Sequence, residues 1–389
     1  MPTPAPTRSP TASPTPSPEP TPTPCPHLRW ENGVCADCGA ECAHESWIDG
    51  KCAVCSLPCD HPDHDRETLL CSRCGALVPH DYRKNVCTLC GAEPVFYAER
   101  LPRELFNPRA EKGDVQILTY QTDVYGPFTT EGAMMREKEM LVYVPYGYDP
   151  AERYDVLVLL HGSGCDQSYW LEKDQDYSSE HLDAVYTRDL LDNLMATGRS
   201  RKVIIATPTF YKDELGADNY GRKADEPRFL KELREVILPL LIDTYSTYAG
   251  SSSPEDMAAA REHFGFAGLS MGSIYAYTGV IPECLDLFSW FGCFSGSDGY
   301  MDQLAASLNA EPNASRPIYY FYNSIGTRDP YFYLHRGQYA DLISMAKGLT
   351  EGENAAMTEI KDTGHEYISW SAGLANFLSV AFSPSAWEG

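Results

Sequence analysis

Basic charge is scarce in this sequence. Of its 389 residues only 31 are Lys or Arg, against 55 Asp or Glu, giving a formal net charge of −24. That imbalance argues against nucleic acid or an anionic membrane surface as a partner and leaves neutral substrates, polysaccharide among them. Long apolar runs are also missing. None approaches the roughly eighteen residues needed to cross a bilayer, so no membrane span is expected. The chain opens Met1-Pro2-Thr3, without a basic and then apolar leader, which fits either a cytoplasmic protein or one whose signal peptide has been removed. Cysteine is nearly absent from the last three quarters, where only Cys165, Cys284 and Cys293 occur, so the domain there needs no staples. The other eleven crowd between Cys25 and Cys90. A small cysteine-dependent module therefore precedes a domain large enough for a sizeable core.

Residues 1–24 are Pro, Thr and Ser with little else, a composition that gives an extended linker rather than a core. Such tracts resemble the tethers of secreted bacterial polysaccharide-degrading enzymes, and they point to an extracellular or cell-surface location. Residues 25–93 then repeat themselves. The first copy carries Cys25, His27, Cys35 and Cys38, the second Cys42, His44, Cys52 and Cys55, and the third Cys59, His61, Cys71 and Cys74. A degenerate fourth keeps His80, Cys87 and Cys90, with Val78 where its first cysteine should stand. Three thiols and one imidazole make a tetrahedral zinc set, and a C-x-x-C turn lets two sulfurs reach one ion. Disulfides are the competing reading, but an odd number of cysteines per full copy, and in the module as a whole, would leave thiols over or demand links between copies. With every position filled by protein, the zinc of this zinc-ribbon-like module would be structural, and catalysis elsewhere would need no cofactor. In the fourth copy Glu93 or a residue of another copy could complete the set, or it binds nothing. Trp30 and Trp47, at matching places, would cover the sites or form a sugar-stacking surface. Cell-surface or protein contact is a possible use of the module.

From residue 94 to 389 the pattern is that of one α/β domain. Strands are expected over 140–145, 156–160, 203–206, 264–267, 288–294, 318–322 and 357–360. Helices are expected near 182–196, over 229–242, from 273, over 337–347 and after His365. Alternation of this kind predicts a doubly wound, mostly parallel sheet whose ligands bind beyond the carboxyl ends of the strands.

Gly268-Leu269-Ser270-Met271-Gly272 lies between an expected strand and an expected helix. Such a sharp turn exposes a serine hydroxyl, making Ser270 the candidate nucleophile. His161-Gly162-Ser163-Gly164 ends the strand over 156–160 and could aim a backbone N–H at a developing oxyanion, with the N–H of Met271 as second donor. His161 itself is expected to brace that turn. Among histidines after Ser270, His365 in Thr363-Gly364-His365-Glu366 is preferred as base over His335, which falls in or near a helix. Asp329, following the strand over 318–322, is preferred as the acid over Asp298, and Asp362 reads as a solvated loop charge.

Val142-Tyr143-Val144-Pro145-Tyr146-Gly147-Tyr148, the His161 turn, Thr207-Pro208-Thr209-Phe210-Tyr211, the Ser270 elbow and Gly364-His365-Glu366 occur in that order. Together they resemble the feruloyl and acetylxylan esterases of carbohydrate esterase family one, over roughly residues 110 to 382. The resemblance implies an α/β-hydrolase fold and hydrolysis of feruloyl or acetyl esters on plant xylan. It implies Ser270, Asp329 and His365 as triad, with the N–H groups of Ser163 and Met271 as oxyanion donors. Ser163 stands where many relatives carry glycine, Pro330 directly follows the acid, and the cysteine repeats lie outside the resemblance. The aromatics Trp170, Tyr211 and Trp370 fall in or beside loops expected near the triad and could stack on a feruloyl ring or a xylose face. The expected function is a secreted serine esterase working through an acyl-enzyme. The alternatives are a carboxylesterase or acyltransferase of this fold acting on other esters, or a surface-binding protein whose hydrolase domain has decayed.

Overall fold

Val156-Leu157-Val158-Leu159-Leu160 has no polar face, so it can be satisfied only in the middle of a sheet covered on both sides. The computed structural model describes residues 77–122, 135–172, 175–176, 184–210 and 228–386, with short pieces at 30–31, 34–36, 47–48, 51–52 and 70–71. In it, strands β1 (Asp114–Thr122), β2 (Arg136–Val144), β3 (Asp155–Leu160), β4 (Val203–Thr207), β5 (Phe264–Leu269), β6 (Trp290–Phe294), β7 (Tyr320–Gly326) and β8 (Ala355–Ile360) form one sheet. Its order is β8-β7-β6-β5-β3-β4-β2-β1. Strands β3 to β8 pair in parallel, whereas β2 runs antiparallel to both β4 and β1.

The expected apolar run sits at the centre of this sheet, and its alternate residues feed different layers. Val156, Val158 and Leu160 join the layer containing Phe266, Leu238 and Tyr275, while Leu157 and Leu159 join the one containing Leu190, Ala372 and Phe377. The first layer is covered by helices α2 (Leu238–Thr244), α3 (Met271–Tyr275), α4 (Met301–Leu308) and α5 (Phe332–Met345), the second by α1 (Thr187–Ala196) and α6 (Tyr367–Val380). Strand β1 and helix α4 are additions to the sequence pattern, and α5 starts at Phe332, well before the expected residue 337. Among the described residues no helix is long and apolar enough to cross a membrane.

The repeats show a shared backbone register. Trp30 pairs with Cys35, Trp47 with Cys52 and Tyr82 with Cys87, so in three copies an aromatic residue faces the first cysteine of C-x-x-C across a two-stranded ribbon. The chain divides into two compact units, and everything from Leu77 onward belongs to the one that carries the sheet. The fourth copy, grouped with the other three in the sequence, is therefore part of the α/β unit. The segment after it is clasped by Asn376 of α6, a buried side chain whose Oδ1 accepts the Tyr97 N–H at 2.7 Å and whose Nδ2 donates to the Tyr97 carbonyl at 3.0 Å. At the next residue, the Ala98 carbonyl accepts the N–H of Lys361 at 2.8 Å. Asn376→Ala would strand both backbone groups of Tyr97 and should lower unfolding free energy by about 2–4 kcal/mol, measured by denaturant unfolding.

Candidate active site

Strand order reverses beside β3. The chain leaves β3 toward β4 on one side and returns to β5 on the other, so the loops after β3 and β5 diverge and open a crevice at their carboxyl ends. Ser270 directly follows β5 at φ 50° and ψ −111°, a conformation that L side chains rarely adopt. Its surroundings over-determine it. The Ser270 N–H donates to the Phe294 carbonyl at 2.8 Å. A Cβ on Gly268 would come within 2.5 Å of the Gly272 carbonyl carbon, and one on Gly272 within 2.7 Å of the His161 oxygen. Both flanking glycines are thus required by close backbone approach.

Ser270 Oγ lies 3.0 Å from His365 Nε2, and His365 Nδ1 lies 2.8 Å from Asp329 Oδ2. The Asp329 side chain is 0% exposed and that of His365 26%. A carboxylate only accepts, so Nδ1 carries the proton and Nε2 is left to accept the serine hydroxyl's hydrogen. The second carboxylate oxygen takes the Tyr331 N–H at 2.9 Å. The loops bearing acid and histidine are laced together. Thr327 N–H donates to the Ile360 carbonyl at 3.0 Å and Arg328 N–H to that of Thr363 at 2.8 Å, while Glu366 Oε1 accepts the Gly364 N–H at 2.8 Å.

The other candidates go elsewhere. Asp298 is exposed and accepts the neighbouring Gly299 N–H. Asp362 is exposed and paired with Arg328 at 2.7 Å. His335 is fully buried in α5, edge-on to Tyr277. Burial pushes its pKa down to about 4 against the pull of the Asp329 carboxylate, so it stays neutral.

On the oxyanion side, a Cβ on Gly162 would lie 3.2 Å from Ser270 Cβ, so the turn after β3 is pressed against the elbow. Ser163 follows it and is exposed. Met271 opens α3, where a backbone N–H has no intrahelical partner. His161 is buried, with Nδ1 2.8 Å from the Gly162 carbonyl and Nε2 2.9 Å from Thr209 Oγ1, and its ring stacks on Phe210. The carbonyl fixes the tautomer, so Nδ1 donates and the threonine hydroxyl donates to Nε2. Behind it Lys138 Nζ, buried with Glu232 at 2.7 Å, donates to the Thr209 carbonyl at 2.8 Å.

Of the expected substrate contacts, Trp370 stands perpendicular to the His365 ring at 5.1 Å, and its buried Nε1 finds no acceptor among the described residues. Trp170 is 0% exposed and donates to the Leu160 carbonyl at 3.0 Å, so both ring faces are covered and it packs its loop instead. Tyr211 lies outside the described residues. An aromatic the sequence reading passed over, Tyr331, is half exposed and meets His365 at 5.3 Å from another side. Its only signal was its place two residues after the acid.

Of the metal-ligand candidates, His80, Cys87 and Cys90 present ligand atoms within 4.8 Å of one another. Cys35 and Cys71 are buried. Cys52 is described only as part of the strand Lys51–Cys52. Cys25, His27, Cys38, Cys42, His44, Cys55, Cys59, His61 and Cys74 lie outside the described residues.

No family model matches the chain. It is 30% identical over 227 residues to endo-1,4-beta-xylanase Y of Acetivibrio thermocellus, covering 57% of this chain and 18% of that protein. It is 22% identical over 275 residues to the endo-1,4-beta-xylanase/feruloyl esterase of Xylanibacter ruminicola, covering 69% of this chain and 31% of that one. The chain thus spans less than a third of the length of the curated relatives it matches. Among solved structures, a serine-to-alanine mutant of the feruloyl esterase module from Clostridium thermocellum complexed with sinapinate aligns with TM-score 0.61 and 24% identity, covering 75% of this chain and 95% of that one. The ferulic acid esterase of carbohydrate esterase family one from Anaeromyces mucronatus aligns with TM-score 0.56 and 20% identity, covering 75% and 99%. The chain resembles the feruloyl esterases of carbohydrate esterase family one, as its motifs led us to expect.

The buried His335 carries a pH signature. Its folded pKa lies below the unfolded value of about 6.5, so the unfolded chain binds more protons between that pH and about 4. Stability should fall as pH drops through this window, and His335→Leu should flatten that part of the slope in denaturant unfolding measured from pH 7 to pH 4.

Proposed function

We propose that this chain is a serine esterase that removes feruloyl or acetyl groups from plant xylan through an acyl-enzyme on Ser270. The observation that carries the reading is the continuous relay from Ser270 Oγ through the His365 ring to the buried carboxylate of Asp329. His365 Nε2 takes the hydroxyl proton as Oγ adds to the ester carbonyl, and Asp329 steadies the imidazolium. The oxyanion faces the N–H groups of Ser163 and Met271, each typically worth about 3 kcal/mol to the transition state. His365 returns the proton to the departing sugar hydroxyl. It then deprotonates a water that attacks the acyl carbonyl and frees Ser270 together with the carboxylic acid.

Feruloyl is the preferred acyl group. Tyr331, half exposed, and Trp370, 8% exposed, set aromatic edges beside His365, a wall suited to an aromatic acyl group. The xylanase and feruloyl esterase relatives support xylan as the carrier. Such a substrate belongs outside the cell or at its surface, in keeping with the Pro/Thr/Ser tract, and the charge of −24 fits a neutral polysaccharide partner. We assign structural zinc to the repeats, on Cys25, His27, Cys35 and Cys38, on Cys42, His44, Cys52 and Cys55, on Cys59, His61, Cys71 and Cys74, and on His80, Cys87 and Cys90. Catalysis uses none of it.

Ser270→Ala should fold with an unchanged circular dichroism spectrum and lose turnover by a factor on the order of 10⁴ or more. Product release from feruloylated and from acetylated xylan measures both the loss and the acyl preference. Turnover retained by the variant would overturn the assignment.

A further inference from the structure

The C-x-x-C turn of the fourth repeat is stitched so that its two sulfurs converge. Gly91 N–H donates to the Cys87 carbonyl and Cys87 N–H to that of Ala92, both at 2.8 Å, with Gly91 at φ 75°. The preceding ribbon reverses at Lys84 and Asn85, at φ 51° and 56°, which returns the chain from Tyr82 to Cys87. His80 Nδ1 sits 3.6 Å from Cys90 Sγ, its ring held by stacking on Tyr82 at 5.3 Å. Neither sulfur takes part in a disulfide. Ligands held at zinc bond lengths around a tetrahedral ion are about 3.5–4 Å from one another, so atoms already within 4.8 Å need only a small closure.

The same turn is bonded into the hydrolase. Asp81, next to His80, accepts the Ser385 N–H at 2.9 Å and its hydroxyl at 2.6 Å, just beyond α6. Its own carbonyl accepts the Thr88 N–H at 2.8 Å, which joins the clasp to the C-x-x-C turn. Tyr82 and Cys87 are buried in the core layer that holds Trp290, Tyr320 and Phe382. The chain then runs to Tyr97 and Ala98, bonded to Asn376 and Lys361 on either side of His365 in the sequence.

We propose that His80, Cys87 and Cys90 bind a zinc ion that clamps residues 77–98 onto the hydrolase, so that the thermal stability of the esterase depends on metal although its chemistry does not. The clamp rests on reading the repeats as metal-binding. Binding releases the two thiol protons and leaves two thiolates and a neutral imidazole as protein ligands. Because Asp81 lies between the ligand His80 and the buried Tyr82, fixing the imidazole also fixes the carboxylate that holds Ser385.

The test uses the full chain. Chelation should lower the midpoint of thermal inactivation of ester hydrolysis by about 5 °C or more, leave the initial rate at room temperature unchanged, and be reversed by added zinc. Cys90→Ala should lower the midpoint by a similar amount, after which chelation moves it no further. Cys38→Ala, in the first repeat, should lose zinc without moving the midpoint. Should Cys90→Ala not fold, chelation and zinc return on the native chain still decide. A chain found to hold no zinc would sink the metal reading of the repeats and the clamp with it. Zinc lost with the midpoint unmoved, or a Cys90→Ala chain still shifted by chelation, would sink the clamp alone.

Discussion

The backbone at Ser270 is the constraint on which the rest of the domain depends. A serine at φ 50° is strained, and strain of this kind persists only where the surroundings allow no alternative. The strand before it is buried on both sides and the helix after it begins at the next residue, so the turn has no slack. The neighbouring backbone closes in from every side. The Phe294 carbonyl holds its N–H, Gly268 and Gly272 touch across the turn, and Gly296 approaches so closely that a Cβ there would meet the Ser270 oxygen at 2.1 Å. The sheet therefore sets the position of Oγ, and the other groups must come to it.

They come from loops that are themselves tied down. Asp329 and His365 follow different strands, β7 and β8, yet the backbone bonds from Thr327 and Arg328 make the two loops one structure. Burial of the Asp329 carboxylate raises the cost of leaving it without donors, and the His365 ring and the Tyr331 N–H supply them. On the opposite side the turn after β3 is held by a buried chain of contacts running from Glu232 through Lys138 and Thr209 to His161. A buried ion pair is weak evidence for stability, but here it fixes the orientation of groups behind Gly162.

Much of this was legible in the sequence where each position speaks for itself. The run Val156 to Leu160 within β3 is apolar at every residue, and the glycines around Ser270 mark close backbone approach directly. Strand β1 was harder, because on this edge Ile117 is 54% exposed and Thr122 is buried, so polar and apolar residues do not sort by face and the period of two is broken. Helix α4 buries only Met301, Leu304 and Ala305, too short a stripe to declare a period. The first turn of α5 carries Tyr333 and Leu334 outward, 83% and 51% exposed, which blurs the pattern that would have marked its start. The place of Tyr331 against His365 depends on two loops meeting from different strands, and no local spacing encodes that. Trp170 misled for a related reason. Its indole N–H needs an acceptor, and the carbonyl ending β3 draws it inward.

The fourth repeat shows how a boundary drawn from composition can differ from one drawn by packing. Its cysteines group it with the repeats before it, but its other side chains belong to the hydrolase. Asp81 reaches Ser385, and Tyr82 enters the core beside Trp290. A segment with one two-residue ribbon cannot bury enough apolar area to hold its own shape. It must be ordered either by the domain it lies on or by a ligand it closes around. The lost first cysteine at Val78 removes one ligand, and a copy less able to stand on its own metal has more to gain from the surface beside it. Docking and ligation would then be complementary, each completing what the other leaves short.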